Sequence, residues 1–362
     1  MNTQINRLPV PTWNRTGVNW IDGDASLPQR MLEKGKKLPF HATLPPHVTL
    51  MEQLPEDILK IKSAMGDPVD KFVLSGADKT CYLRAEGETL EPITIVQNLD
   101  ETKPVCRTHF GIEAKEGSQI TIIQINRGDA ENGILANLTQ IDAKKNSKVR
   151  IIQIQLLGDK SQGFDAVGAR IGKGAKVELI RATIGGKTVA SGSYAYLEDT
   201  EGTYELNSAY YADNDQTFDF NDIARHVGTN TVSDMNAAGI LGGNSKKILR
   251  GTIDFRSGAV HSRGHENETV LLLSPKARNR TVPLILCGEE SVEGQHAATL
   301  GRFDEKQLYY LCSRGLSPLQ AKRMLVEARF SPVLSQLENE ELRDEILSII
   351  ERRLNQYDSD PR

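Results

Sequence analysis

The side chains in this sequence best able to do chemistry are unevenly placed. His261, His265, Cys287, His296 and Cys312 all fall in the last third of the chain, and imidazole and thiolate are donors for borderline and soft metal ions. Asp213, Asp215, Asp219 and Asp222 crowd into "ADNDQTFDFND", where paired carboxylates would suit glycosidic-bond hydrolysis. "GGKTV" at 185–189 offers part of a phosphate loop, but that motif needs a glycine five residues before its Gly-Lys, where Arg181 stands. The acidic run fails as a calcium loop, with Phe218 at the required glycine and Ala224 at the twelfth position. Neither a nucleophile elbow nor a His-Glu-x-x-His helix occurs, so conventional catalysis has little to stand on.

Each of these residues also has a plain structural reading. Turn acids are usually solvated, and a buried cysteine behaves as a small hydrophobe. Cys312 shares an apolar helical stripe with Leu308 and Leu311, which places it, with Met324, in a core. A histidine at a strand end can simply hydrogen-bond a turn.

The 362 residues carry a net charge of -4, with a pI near 6.0. No chain-wide basic field is available to recruit nucleic acid or an anionic membrane, so neither is an expected partner. Four cysteines without a CxxC pair argue against a disulfide framework and point to a reducing compartment. The first residues lack an apolar signal core and no later run is long enough to span a bilayer, so the expectation is a cytoplasmic protein.

Three regions are expected to hold these groups in place. Residues 1–79 form a proline-rich, irregular arm with one helix through "PEDILKIKSAM". Residues 80–300 are short β-type runs such as "QITIIQI", "VRIIQIQLL" and "VPLILC", separated by Gly, Asn, Asp and Lys. Within them a phrase recurs: "AKEGSQITII" from Ala114, "AKKNSKVRII" from Ala143 and "IGKGAKVELI" from Ile171, with a fainter copy at "EGTYEL". A period near 28 residues holds two strands and two turns, too little for a crossover helix. The fold class is therefore mainly β, a right-handed β-helix-like solenoid, with Gly117, Asn146, Gly174 and Gly202 at its corners. Residues 301–362 read as three helices. Asp304 and Ser317 cap the first two, Gly315 stops the first, and the set is expected to cover the stack's open edge.

"HAATLGRFDEKQLYYLCSRGLSPLQAKRMLVEA" closely resembles the closing signature of the SufB/SufD family of the SUF iron-sulfur cluster assembly machinery. The resemblance is close over about residues 265–330, and the β-stack agrees in architecture. It implies a non-enzymatic subunit, SufD-like, that pairs with a SufB-like protein or with itself. Its helical tail would dock a SufC-type ABC ATPase, with Tyr309, Tyr310 and Arg314 as anchors. No tightly bound cofactor is implied, only transient iron or a cluster at a subunit interface. The position of His296 matches the family's histidine, while Ala297, Ala277 and Gly294 stand where other members carry Glu or Cys. Cys287 is a possible substitute ligand, and a homodimeric scaffold using Cys287 and His296 is an alternative. A β-helical carbohydrate-active enzyme built on Asp219 and Asp222 is the rival from another class.

Overall fold

Ala114 pairs with Ala143, and Ala143 with Ile171, in neighbouring parallel strands, so the recurring phrases stack coil on coil in the register their spelling implies. The computed structural model describes residues 4–12, 14–22, 44–89, 91–337 and 339–358. It is mainly β, a parallel solenoid of about eight turns. Each coil gives one strand to each of two facing sheets. One sheet runs from Val48–Leu50 and Lys79–Ala85 to Arg278–Cys287, the other from Ile93–Leu99 to Glu293–Gly301. The arm lies on the first and the helical tail on the second, so they are called the arm-side and tail-side sheets below.

Between the sheets, strand alternation drives Leu83, Ile112, Ile122, Ile151, Leu179, Leu206 and Ile253 into one continuous core. The middle strands are buried on their outer faces as well. Phe72, Val69 and Met65 of the arm cover Ile134, Ala136, Leu138 and Phe164. Val326, Phe330, Ile346 and Ile350 of the tail cover Ile152, Ile154, Ile180 and Tyr211. Burial on both faces is why these strands read as near-continuous apolar runs.

Three expectations need correction. The arm helix extends only over Glu56–Leu59 (α1), and the longer helix is Asp67–Leu74 (α2), which starts after Gly66 and carries Pro68 in its first turn. Part of the proline-rich text, residues 38–43, lies outside the described residues. The corner expected at Gly202 is occupied by Glu201, one position earlier: Gly117, Asn146, Gly174, Glu201, Asn230 and His261 all have φ between 55° and 71°. Each of these six donates its backbone N–H to a carbonyl of the next coil, and that bond fixes the left-handed corner whatever the side chain. The tail helices Glu305–Ser313 (α3), Pro318–Leu334 (α4) and Glu340–Asp358 (α5) do not cover the end of the stack. α4 and α5 lie against the face of the tail-side sheet, because the outward isoleucines there need an apolar cover that an end-cap position would leave wet, and α3 packs on α4.

The expected caps are present. Asp304 accepts from the Lys306 amide at 2.9 Å, Ser317 and Gln320 form a reciprocal capping box, and Gly315 follows α3 at φ 98°.

Candidate functional site

Among the described residues the last coil leaves its outward edges free: Arg278–Cys287 and Glu293–Gly301 each pair on one side only. At nine and ten residues they are long for open edges, and a row of unpaired amides and carbonyls is a template for another chain. Every residue of Glu293–Gly301 is exposed.

His296 lies on this last strand. Cα register places it at the end of the column Ile122, Ile151, Leu179, Leu206, Met235, Glu266, His296, so it projects on the inward face, beneath the core residues of earlier coils. Cys287 ends an inward column of the other sheet, after Leu197, His226 and Phe255. It is exposed, and its thiol donates to the Glu289 carbonyl at 3.1 Å. The fold does not bring the two together within one chain. A Cβ on Gly294 would sit 3.4 Å from Ile285, so these residues face each other. From that pair, His296 lies two residues one way and Cys287 two the other, an offset along the strands of about 13 Å at ~3.3 Å per residue, to which the gap between the sheets adds.

The other sequence candidates have different fates. The His261 backbone forms a left-handed corner, its amide bonded to the Ser291 carbonyl at 2.6 Å. His265 is half-exposed and sits 3.1 Å from Asp234. Cys81 and Cys106 are buried, and burial pushes both thiols up, Cys81 to about 12, so neither is a ready thiolate. Cys312, Leu308 and Leu311, expected in a core, are only half-buried, and Met324 is exposed, because α3 touches α4 and hardly anything else. The anchor candidates are open: Tyr309 is 78% and Tyr310 56% exposed, with the Arg314 guanidinium 5.3 Å over the Tyr310 ring. Among the described residues no group of three His, Cys, Asp or Glu is arranged to hold a metal ion, and no helix is long and apolar enough to cross a membrane.

The acids proposed for a glycosidase site are locked away. Asp219 points outward under the arm, where Arg250 and Asn6 each donate to it at 2.7 Å. Asp222 points inward on the same strand, paired with Arg181 at 3.1 Å and accepting from Ser193 at 2.5 Å. Two carboxylates on opposite faces of one sheet, each with its own arginine, cannot flank one sugar bond.

Sequence reasoning missed a polar interior. Lys247 and Glu268 form a buried ion pair, with the Tyr210 hydroxyl donating to Glu268 at 2.7 Å. Beside them Glu266 is 4% exposed, and its buried Oε2 has no hydrogen-bond partner among the described residues. Burial pushes its carboxyl up to about 8. Its alternation with Glu268 in "HENETVLLL" looks like an ordinary wet strand face, and only the coil register turns it inward.

A family model described as the SUF system FeS cluster assembly, SufBD core domain, matches residues 96–329. The iron-sulfur cluster assembly protein SufD of Bacillus subtilis is 23% identical over 339 residues, 86% of this chain and 77% of that protein. An iron-sulfur cluster assembly SufBD family protein of Mycobacterium tuberculosis is 26% identical over 302 residues, 80% of this chain and 75% of its own. One from Mycobacterium leprae is 26% identical over 271 residues, 73% and 68%.

Proposed function

Because this chain belongs to the SufB/SufD family of the SUF iron-sulfur cluster assembly system, we propose that it is a supporting, SufD-like subunit that pairs through the open end of its solenoid and carries an ATPase on its tail. The preferred pairing partner is a SufB-like protein, with a second copy of this chain as the alternative. The observation that carries this reading is the last coil: two free strand edges with His296 on the inward face between them. Edge pairing there would continue both sheets into the partner and bring its donors near the imidazole, which supplies one ligand to an assembling cluster. The cluster is cargo, and its thiolates come from the partner. A homodimer using Cys287 and His296 needs ligands from both chains, since within one chain they are offset by about 13 Å along the strands of two facing sheets.

The tail supports the second half of the reading. A SufC-type ABC ATPase would dock on α3, where Tyr309, Tyr310 and Arg314 offer aromatic and guanidinium anchors of the kind that carry interface energy. Catalysis of ATP hydrolysis would belong to that partner, and the assembly would work in the cytoplasm.

Anaerobic co-expression with a SufC-type ATPase and a SufB-type protein tests both halves. The expected product is a complex of all three that carries iron. His296→Ala should assemble normally and hold less iron, and the triple change Tyr309→Ala, Tyr310→Ala, Arg314→Ala should lose the ATPase alone. A triple variant that still captures the ATPase defeats the docking assignment. Unchanged iron in the His296→Ala complex makes that residue structural.

A further inference from the structure

Ten carboxylates among the described residues are buried, and nine are matched. Asp78, Glu113, Asp142, Asp219, Asp222, Asp254 and Glu268 pair with Arg or Lys. Asp165 accepts from Asn137 at 2.7 Å and Asp213 from the Asn214 amide at 2.7 Å. The buried Oε2 of Glu266 has no such partner.

A buried, unmatched carboxyl costs free energy, and its persistence calls for an explanation. Its position supplies one. Glu266 is the Cα register partner of His296 on the adjacent parallel strand, and both side chains project on the same inward face. The nearest cation cannot serve it, because Lys247 is held by Glu268. On the opposite strand Gly251 leaves room, and a Cβ there would collide with the Glu266 carboxylate. The next residue along the column, toward the free end, is His296.

We propose that Glu266 and His296 form a carboxylate–imidazole half-site for a divalent transition-metal ion at the open end of the solenoid. One oxygen and one nitrogen donor suit borderline ions such as Fe2+ and Co2+ over Ca2+ or a thiolate-demanding ion. The choice of Fe2+ as the biological ion rests on the cluster-assembly reading. Two protein ligands leave the remaining positions to water and to groups from a paired chain, so the site admits iron and can also hand it on. Glu266, one coil in, is the inner ligand, and His296 is the outer one facing the partner.

The test uses the isolated full chain, anaerobically, with Co2+ alone as the probe, read by titration calorimetry and visible absorption. One saturable Co2+ per chain is expected. Glu266→Gln and His296→Ala should each weaken it about 10–100-fold, while Glu266→Asp, which keeps a carboxylate in the column, should bind more tightly than Glu266→Gln. Circular dichroism and melting temperature confirm that the variants fold; the amide keeps the shape and neutrality of a protonated carboxyl. Absence of saturable binding by the native chain overturns the proposal, as does equal binding by the native chain and Glu266→Gln, or by the Gln and Asp variants. Capture of the ATPase and SufB-type protein is read separately. Loss of partners with intact Co2+ binding defeats the assembly reading alone, and intact partners with no Co2+ effect defeats the half-site alone.

Discussion

Lys247 and Glu268 form an ion pair inside the solenoid in which neither side chain is more than 1% exposed. Two charges removed from water on that scale are tolerable only together, and burial lowers the Lys247 pKa while Glu268 opposes the shift. Lys247→Met strands Glu268 with only Tyr210 and Thr281 as donors. It should cost about 3–5 kcal/mol in urea denaturation. Lys247→Met with Glu268→Leu should be more stable than the single variant, giving a positive coupling in the double-mutant cycle. A single variant within 1 kcal/mol of the native chain would show that the pair is not buried as described.

His226 provides a pH signature two coils above the open end. Its ring nitrogens lie 2.7 Å from the Thr231 hydroxyl and 2.9 Å from that of Ser233, and the ring stacks on Phe255. Burial lowers its pKa to about 4 from an ordinary 6.5. Between those values the unfolded chain binds the proton and the folded chain does not, so this group's contribution to stability falls as pH drops from 6.5 to 4. The loss should amount to about 2–3 kcal/mol. Urea midpoints across that range should fall less steeply for His226→Asn than for the native chain, and parallel slopes would contradict the assignment.

Much of the solenoid was legible because stacking demands the same residue types at the same place in each coil. Gly117, Asn146 and Gly174 advertise a left-handed corner by their chemistry. Glu201 and His261 adopt the same φ without advertising it, because the inter-coil backbone bond imposes the conformation. The helices were legible from caps and period, but an apolar stripe says that a helix buries a face, not which surface covers it. That is why the tail was expected at the end of the stack and lies on its side. His296 could be singled out in the text, whereas Glu266 could not: its inward direction depends on register with Met235 thirty-one residues earlier, which no local pattern encodes.

The tail's two surfaces should separate cleanly. Phe330 is fully buried against the tail-side sheet, and Phe330→Ala should cost about 3–5 kcal/mol through the cavity it leaves. Tyr309→Ala removes an exposed ring from α3 and should change stability by less than about 0.5 kcal/mol. Thermal melts of the two variants decide this, and a large loss in Tyr309→Ala would mean that α3 is held by contacts beyond α4.

Alternation along Glu293–Gly301 allows the free edge itself to be tested. The Glu293 amide bonds inward to the Ser262 carbonyl at 3.0 Å. In a parallel ladder the odd-numbered amides of this strand therefore serve the neighbouring strand, and the even-numbered ones point to the open edge. Proline removes one amide, and strands tolerate it only where that amide is unused. Ala297→Pro should break an internal ladder bond and cost about 3 kcal/mol. Ala298→Pro should fold with nearly native stability, since the amide it removes has no partner among the described residues. If pairing runs along this edge, Ala298→Pro will sediment as a monomer and fail to capture a SufB-type partner while still melting like the native protein. Retained pairing by Ala298→Pro would move the interface elsewhere on the molecule, because an added strand needs that donor and cannot approach past a proline ring.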